Sequence, residues 1–254
     1  MNEYIPCRFC NNKVGPKAGF YYIDIPYGDT TTKGLVECDC HKLYIQKELL
    51  LVQAIQSDIW PAAFDYNIDS DYKGVKSLKN IERLKKYVFE FDKFKHSMVY
   101  LYGPNGTQKT TLAHWIGANV LHKGYSVKYI LMQNLLQALT NGFEDDEKIA
   151  KINKLKEVDL LICDESFSKD KVTVFESGYQ LPFFDRFLRE RIELKKKGIV
   201  FISNKTPYEI ESQKFSKSTQ DFVIRNTVQF GTNLEFIDNF MLEASKFDVK
   251  GIFD

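Results

Sequence analysis

The chain has 254 residues and 44% of them are hydrophobic, which allows one full-sized core with a small appendage but excludes two large domains. Lysine and arginine total 35 against 34 aspartates and glutamates, so the net charge is only +1 and a strongly basic protein is excluded. Any contact with nucleic acid would therefore depend on a local basic patch rather than on the field of the whole molecule.

The N-terminus and the apolar segments indicate neither export nor a membrane span. The start, Met1-Asn2-Glu3-Tyr4, lacks the basic and apolar regions of a signal peptide. Apolar runs such as Val158 to Cys163 are far shorter than the roughly 20 residues that a spanning helix needs. We therefore expect a cytoplasmic protein without a membrane partner. Cysteines are reduced in the cytoplasm, so a cluster of them indicates a metal site rather than disulfides.

Four of the five cysteines lie in the first 40 residues, as the pairs Cys7/Cys10 and Cys38/Cys40. Two short-spaced pairs of thiolates are typical of a tetrahedral zinc site, and a segment this small gains folding energy from the metal. His41 could replace one of the cysteines, and four unligated cysteines are the alternative. The spacing predicts a zinc-binding module over residues 1–45, with loops and short strands between the pairs.

The next segment, residues 46–76, is predicted to be a helix and a linker. Apolar residues recur at helical spacing over 41–59, and Trp60-Pro61 ends that helix. The stretch 65–74 is polar and rich in turn formers, so we expect it to lead as a linker into the larger domain.

Residues 77–254 alternate between helical and buried-strand patterns, which predicts an α/β domain with a parallel sheet flanked by helices. The predicted helices are 78–94, 110–123, 134–141, 149–156 and 181–197, and the predicted strands are 97–102, 126–131, 159–163 and 198–202. Arg186, Arg189 and Arg191, followed by the lysines 195–197, could line a groove for single-stranded DNA. A solvated helix end is the alternative for these basic residues.

The strand ending at Tyr102 leads directly into a glycine-containing loop, and a helix follows. This context suits a phosphate-binding loop, in which backbone N–H groups and a helix N-terminus converge on phosphates. The positions assigned to nucleotide binding are Gly103, Pro104, Asn105, Gly106, Thr107, Gln108, Lys109, Thr110 and Thr111. Lys109 would contact the β- and γ-phosphates, and the Thr110 hydroxyl would bind Mg²⁺. The loop departs from the usual pattern at Gln108, where a glycine is expected, and an ordinary glycine turn is the alternative.

Two further strands end in polar side chains. The strand 158–163 is followed by Asp164 and Glu165, which would bind Mg²⁺ and polarise the attacking water, respectively. The strand 199–202 is followed by Ser203 and Asn204, whose amide could contact the γ-phosphate or the water. A solvated acidic turn and a simple asparagine turn are the alternatives for each strand alone. Together with the loop they predict one ATP site, because ligands of open α/β sheets gather at the carboxyl ends of strands.

With these motifs the sequence resembles the AAA+ helicase loaders of the DnaC/DnaI type and the related IstB transposition ATPases. The resemblance spans residues 60–238 and rests on the segments 103–111, 128–139, 159–165, 184–191 and 202–207. It implies an AAA+ P-loop NTPase fold that uses ATP and Mg²⁺. The arginine finger of the family matches Arg225, which would act on the nucleotide of a neighbouring subunit; a surface arginine is the alternative.

The resemblance implies an ATP-dependent loader of a replicative helicase onto single-stranded DNA, in bacterial or phage replication. Lys109, Glu165, Asn204 and Arg225 would be its catalytic residues, and the zinc module would hold the helicase. Because Gln108 departs from the family, we expect a weak ATPase that depends on its partners and on assembly into a homo-oligomer. The alternatives are a transposition-accessory ATPase of the IstB type and a non-hydrolysing AAA+ adaptor that recruits the helicase.

Overall fold

The structure, a computed structural model, describes residues 20–72, 74, 76–141, 146–169, 180–228 and 233–236. The chain divides into two compact units, Met1–Gln53 and Ala54–Asp254. Within the described ranges, no helix is long and apolar enough to cross a membrane.

The smaller unit contains a β-hairpin followed by a helix. Its elements are β1 (Phe20–Tyr27), β2 (Thr30–Glu37) and α1 (Asp39–Gln56). The last three residues of α1 belong to the larger unit, which begins at Ala54. The two strands pair antiparallel, and Gly28 takes a φ of 58° in the tight turn between them. Cys38 is buried where the helix begins. The His41 Nδ1 and Glu37 Oε1 atoms lie 2.7 Å apart, which fixes the first turn of the helix against the end of β2.

The larger unit alternates helices and strands, as the sequence predicts. In chain order these are α2 (Ile68–Asp71), α3 (Leu78–Phe89), α4 (Phe91–Phe94), β3 (Met98–Tyr102), α5 (Lys109–His122), β4 (Val127–Leu131), α6 (Met132–Asn141), α7 (Asp146–Glu157), β5 (Leu160–Asp164), α8 (Gln180–Arg189), β6 (Gly198–Ser203), α9 (Lys217–Val228) and β7 (Asn233–Glu235). Short 3₁₀ helices run Pro61–Phe64, Pro207–Glu209 and Glu211–Gln213, and a π-helical turn, Glu190–Leu194, continues α8.

The five strands β3 to β7 form a parallel sheet in the order β4-β5-β6-β3-β7. In β3, Val99 and Leu101 pack into an apolar cluster with α3 and α5, whereas Met98 and Tyr100 pack into a second cluster with α6 and α8. Because both faces are covered, the central strands are continuous apolar runs without alternation. The five strands of this sheet are all parallel, so β3, β5 and β6 end at the same edge of the sheet.

Residues 65–72, which belong to the stretch expected to be a polar linker, contribute two side chains to the core of the larger unit. Ile68 and Tyr72 are only 6% and 5% exposed. The Tyr72 ring packs edge-on against the Phe236 ring, with centroids 6.4 Å apart. This stretch is therefore a packed part of the domain.

One predicted helix is interrupted. The pattern predicts a single helix over 78–94, but α3 ends at Phe89 and α4 begins at Phe91. The break places Phe91 in the core, where its ring packs edge-on against Tyr87 and Tyr125 at 5.6 and 4.9 Å. Burial of this aromatic ring offsets the loss of helix continuity.

The long helix predicted over 181–197 changes at Arg189 into the π-helical turn, and this turn brings Arg191 inward. The guanidinium is fully buried and donates to four backbone carbonyls, those of Leu155, Lys156, Val158 and Gly198, at 2.7 to 3.2 Å. Burial lowers the pKa of Arg191 to about 9. The expectation that Arg191 could line a DNA groove is therefore wrong, because the sheet and α7 enclose this side chain.

Candidate nucleotide-binding site

The phosphate loop begins with a glycine that no other residue can replace at this place. Gly103 has a φ of 141°, and a Cβ atom built on it would lie 1.9 Å from the carbonyl oxygen of Phe236. The Phe236 N–H donates to the Tyr102 carbonyl at 2.7 Å, which holds the two segments together. The close approach of β7 and the loop therefore requires glycine at this position.

Gln108 occupies the position where a glycine was expected, and it adopts a glycine-like conformation. Its φ of 59° and ψ of 19° lie in the left-handed region, immediately before α5 begins at Lys109. The Tyr66 hydroxyl donates to the Gln108 Oε1 atom at a long 3.4 Å. The loop thus keeps the backbone shape that glycine favours, at a cost of about 1–2 kcal/mol for a residue with a Cβ atom.

The Lys109 ammonium folds back over the loop. Its Nζ donates to the carbonyls of Gly103 and Pro104 at 2.9 and 2.7 Å and to the Thr107 Oγ1 at 3.1 Å. Burial lowers the pKa of Lys109 to about 8, although the Asp164 charge opposes that shift. The cation is therefore desolvated inside the loop, where its interaction with a phosphate would be strong.

The Asp164 carboxylate, at the end of β5, accepts three hydrogen bonds. Its Oδ2 atom accepts from the Thr110 Oγ1 at 2.9 Å and from the Tyr129 hydroxyl at 2.7 Å, and its Oδ1 accepts from the Glu165 N–H at 2.6 Å. Burial, followed by the Asp164 charge, raises the pKa of Tyr129, so its hydroxyl remains a donor. An adjacent hydroxyl and carboxylate are oxygen ligands of the kind that Mg²⁺ binds, so these residues fit that ion.

Asn204 follows β6 and reaches across to the phosphate loop. Its Nδ2 donates to the Asn105 Oδ1 at 2.8 Å. The turn before it is tied to the end of β5, because Ser203 Oγ donates to the Ser166 carbonyl at 2.7 Å and Ser166 N–H donates to the Ile202 carbonyl at 2.8 Å. These bonds fix the position of the turn at Asp164 and Glu165 relative to the turn at Asn204.

These strand ends enclose a cavity of about 520 Å³, within the usual range for ligand pockets. Its lining residues are Asn105, Gly106, Thr107, Gln108, Lys109, Thr110, Asp164, Glu165, Ser166, Ser168, Ile202, Ser203 and Asn204. Most of the side chains that the sequence predicts for ATP and Mg²⁺ therefore meet in one place. Gly103, Pro104 and Thr111 do not line the cavity, although they belong to the same loop and helix.

Arg225 lies on α9, away from the lining of the cavity. Its side chain is 62% exposed and its Nη2 lies 3.7 Å from the Glu193 Oε1 atom. The guanidinium also lies over the Phe222 ring, 5.6 Å from the centroid. Arg225 does not line the cavity of its own chain, and its role on the nucleotide of a neighbouring subunit stays a prediction.

The zinc prediction falls largely outside the described residues. Cys7 and Cys10 lie there, and so does the side chain of Cys40; Cys38 is 3% exposed. Among the side chains that the structure does describe, no three of His, Cys, Asp or Glu come together as a metal site.

Four residues that line the cavity were not predicted as site residues: Ser166, Ser168, Ile202 and Ser203. Ser166 and Ser203 are buried and join β5 to β6. Each of these two serines is next to a predicted site residue in the chain, which is a usable signal. Tyr129, which contacts Asp164, was also missed. Tyr129 has no such signal, because its contact with Asp164 joins positions 35 residues apart.

The fold and the site define a P-loop nucleotide-binding protein, with its phosphate loop between β3 and α5 and an acidic pair after β5. The chain matches the family described as "IstB-like ATP binding protein" over residues 48–216, which is well over half of its 254 residues. It belongs to that family.

Among curated proteins, the chain is 30% identical over 118 residues to the chromosomal replication initiator protein DnaA of Caldanaerobacter subterraneus subsp. tengcongensis. The match covers 45% of this chain and 25% of that protein, so the chain spans about a quarter of the relative's length.

Among solved structures, the fold is similar to that of AMPPCP-bound DnaA from Aquifex aeolicus, with a TM-score of 0.54 and 20% identity over 74% of this chain and 56% of that one. It is also similar to the DnaC helicase loader, with a TM-score of 0.52 and 17% identity over 70% of this chain and 97% of that one. At these identities the likeness shows the fold alone, which is the AAA+ P-loop fold with a parallel sheet flanked by helices.

Proposed function

We propose that the chain binds ATP with Mg²⁺ in the cavity at the ends of β3, β5 and β6 and hydrolyses it slowly. The observation that carries this proposal is that Lys109, Thr110, Asp164, Glu165 and Asn204 all line one cavity of about 520 Å³. Each side chain is of the type that phosphoryl transfer requires at that place, because catalysis here depends on positioning and charge.

In this site the Lys109 ammonium would leave its loop carbonyls for the β- and γ-phosphates. Thr110 and Asp164 would hold Mg²⁺, which supplies charge neutralisation on the phosphates when it is bound. Glu165 would accept the proton of the attacking water, and Asn204 would exchange its bond with Asn105 for one with the γ-phosphate or the water. Hydrolysis would thus be coupled to a change at the phosphate loop.

Hydrolysis is proposed to require a second copy of the chain. Arg225 is exposed and does not line the cavity of its own chain, so it suits a finger that enters the site of a neighbour. A two-subunit complementation experiment tests this: Arg225→Ala mixed with Glu165→Gln should restore part of the ATPase activity that each variant lacks alone. Arg83→Ala, an exposed arginine on α3, is the matched control and should remain fully active. If Arg225→Ala alone is fully active, the proposed finger is wrong.

The biological role that we propose is ATP-dependent loading of a replicative helicase onto single-stranded DNA, in the cytoplasm. It is supported by membership of the IstB-like family and by the fold shared with the DnaC helicase loader. A transfer assay with a hexameric replicative helicase and circular single-stranded DNA tests it. The helicase should become bound to the circle only when the chain and ATP are present, and equal loading without the chain would contradict the proposal.

The N-terminal residues are proposed to bind zinc through Cys7, Cys10, Cys38 and Cys40 and to hold the helicase. The paired spacing of the cysteines supports this, whereas His41 already faces a carboxylate and is the weaker ligand candidate. Elemental analysis of the purified protein should find one zinc per chain, reduced in a double variant that replaces the first cysteine pair with serine. Cys163→Ser, in the buried strand β5, is the control and should keep its zinc.

Two alternative functions, a transposition-accessory ATPase and a non-hydrolysing adaptor, are each supported by one observation. The family description favours a transposition-accessory ATPase, for which binding to duplex DNA together with a transposase would be decisive. Gln108 in the phosphate loop favours a non-hydrolysing adaptor. ATP turnover that disappears in Glu165→Gln would exclude the adaptor, whereas binding of ATP without any turnover would support it.

A further inference from the structure

An aromatic stack runs from the surface of the larger unit towards the acidic turn. The Trp60 and His114 rings stack with centroids 3.9 Å apart and an interplanar angle of 18°, and the His114 and Tyr129 rings stack at 4.5 Å and 22°. The backbone N–H of Trp60 also donates to His114 Nδ1 at 3.2 Å. Trp60 is half exposed whereas His114 is 1% exposed, so the stack connects the surface with the interior.

The stack ends on the carboxylate that we propose for Mg²⁺. The Tyr129 hydroxyl donates to the Asp164 Oδ2 atom, which also accepts from Thr110, and Glu165 N–H occupies the other oxygen. Two of these donors belong to the proposed nucleotide machinery itself. Tyr129 is the third, and it comes from the neighbouring strand β4.

The hydroxyl of Tyr129 is not needed to fill the space between β4 and α5, because the ring alone packs against His114. Burying a hydroxyl is unfavourable unless it makes a hydrogen bond, and here its bond is made to a carboxylate. A carboxylate held through both oxygens by donors on different elements cannot rotate freely. The bond from Tyr129 thus restricts the orientation of Asp164.

We propose that Tyr129 is a positioning residue that fixes the Asp164 carboxylate for Mg²⁺, and that His114 and Trp60 fix the Tyr129 ring. The inference rests on the proposed ATP and Mg²⁺ site and adds a residue that acts through Asp164. Groups that orient the ligands of a metal typically change metal affinity by about 10- to 100-fold when they are removed.

The test is Tyr129→Phe, with binding of a fluorescent ATP analogue measured over a range of Mg²⁺ concentrations and in EDTA. The Mg²⁺ concentration for half-maximal binding should rise about 10- to 100-fold, while the affinity in EDTA stays unchanged. Tyr125→Phe is the matched control, because it also removes a phenol hydroxyl that bonds to a carboxylate, that of Asp92, but on an exposed surface. It should leave both measurements unchanged.

Trp60→Leu provides a second variant that keeps the Tyr129 hydroxyl but loosens the stack. Trp60→Leu should raise the Mg²⁺ requirement by less than Tyr129→Phe does. If Tyr129→Phe unfolds at the temperature of the assay, Trp60→Leu is measured in its place. An unchanged or lowered Mg²⁺ requirement in Tyr129→Phe overturns the inference, as does an equal loss of affinity in EDTA. If the wild-type chain binds no nucleotide under any condition, the proposed function itself fails, which is a distinct result.

Discussion

Replacing Gln108 with glycine tests whether the phosphate loop holds a side chain in a conformation that it resists. At φ 59° and ψ 19° a residue with a Cβ atom costs about 1–2 kcal/mol. Glycine removes this cost but gives the unfolded chain more freedom, which costs roughly 0.5–1 kcal/mol. The lost bond from Tyr66 is long, at 3.4 Å, and contributes little. The net expectation is stabilisation by up to about 1 kcal/mol.

Chemical denaturation of the wild type and the variant measures this difference. Gln137→Gly is the matched control, because Gln137 is exposed in the interior of α6, where the same change should destabilise the protein by about 1 kcal/mol. The two substitutions are therefore expected to have opposite signs. If Gln108→Gly destabilises the protein as much as Gln137→Gly does, the left-handed conformation carries no strain and this reasoning is refuted.

Two further predictions concern Arg191 and Asp159, which lie close to the beginnings of β5 and β6. Arg191→Met should lower the free energy of unfolding by at least about 3 kcal/mol, because several buried carbonyls lose their donor and each unpaired carbonyl costs about 1–3 kcal/mol. Arg83→Met, at an exposed position, should change the free energy of unfolding by less than about 0.5 kcal/mol. Equal effects of the two substitutions in chemical denaturation would contradict this. Burial alone would raise the pKa of Asp159, but the Lys197 and Ser126 bonds outweigh it and the pKa is lowered. A carboxylate whose pKa is lowered by folding stabilises the fold at neutral pH, and this stabilisation is lost as the pH falls through the lowered pKa. Asp159→Asn should therefore cost about 1 kcal/mol at pH 7, and this cost should shrink steadily as the pH falls below the usual aspartate pKa. If the difference in stability between Asp159→Asn and the wild type persists at low pH, the charge of Asp159 is not its cause.

The ends of the three central strands could be predicted from the sequence because they follow a local rule. A strand buried on both faces is a continuous apolar run, and the first polar residues after it mark the edge of the sheet. Asp164, Glu165 and Asn204 were predicted in this way, whereas Lys109 was predicted from the loop that follows β3. The structure brings all four to one cavity. Parallel topology then converts three separate positions in the chain into one site.

Contacts between distant segments could not be predicted in this way. Arg191 lies in a run of charged residues that suggests a solvated helix, yet the π-helical turn buries it completely. Gly103 is constrained by Phe236, more than a hundred residues later in the chain, and Tyr129 on β4 contacts Asp164 on the neighbouring strand β5. Local propensity carries no information about such pairs, because tertiary packing decides them.

The most direct test of the account is ATP binding by calorimetry in the presence of Mg²⁺, with Lys109→Ala beside the wild type. The Lys109 ammonium is buried in the loop, and loss of a charged hydrogen-bond donor should weaken ATP binding at least about tenfold. Lys79→Ala, an exposed lysine on α3, is the control and should bind as the wild type does. The predicted result is that the wild type and Lys79→Ala bind ATP equally and that Lys109→Ala binds it at least about tenfold more weakly. Equal binding by Lys109→Ala and the wild type would contradict the proposed site.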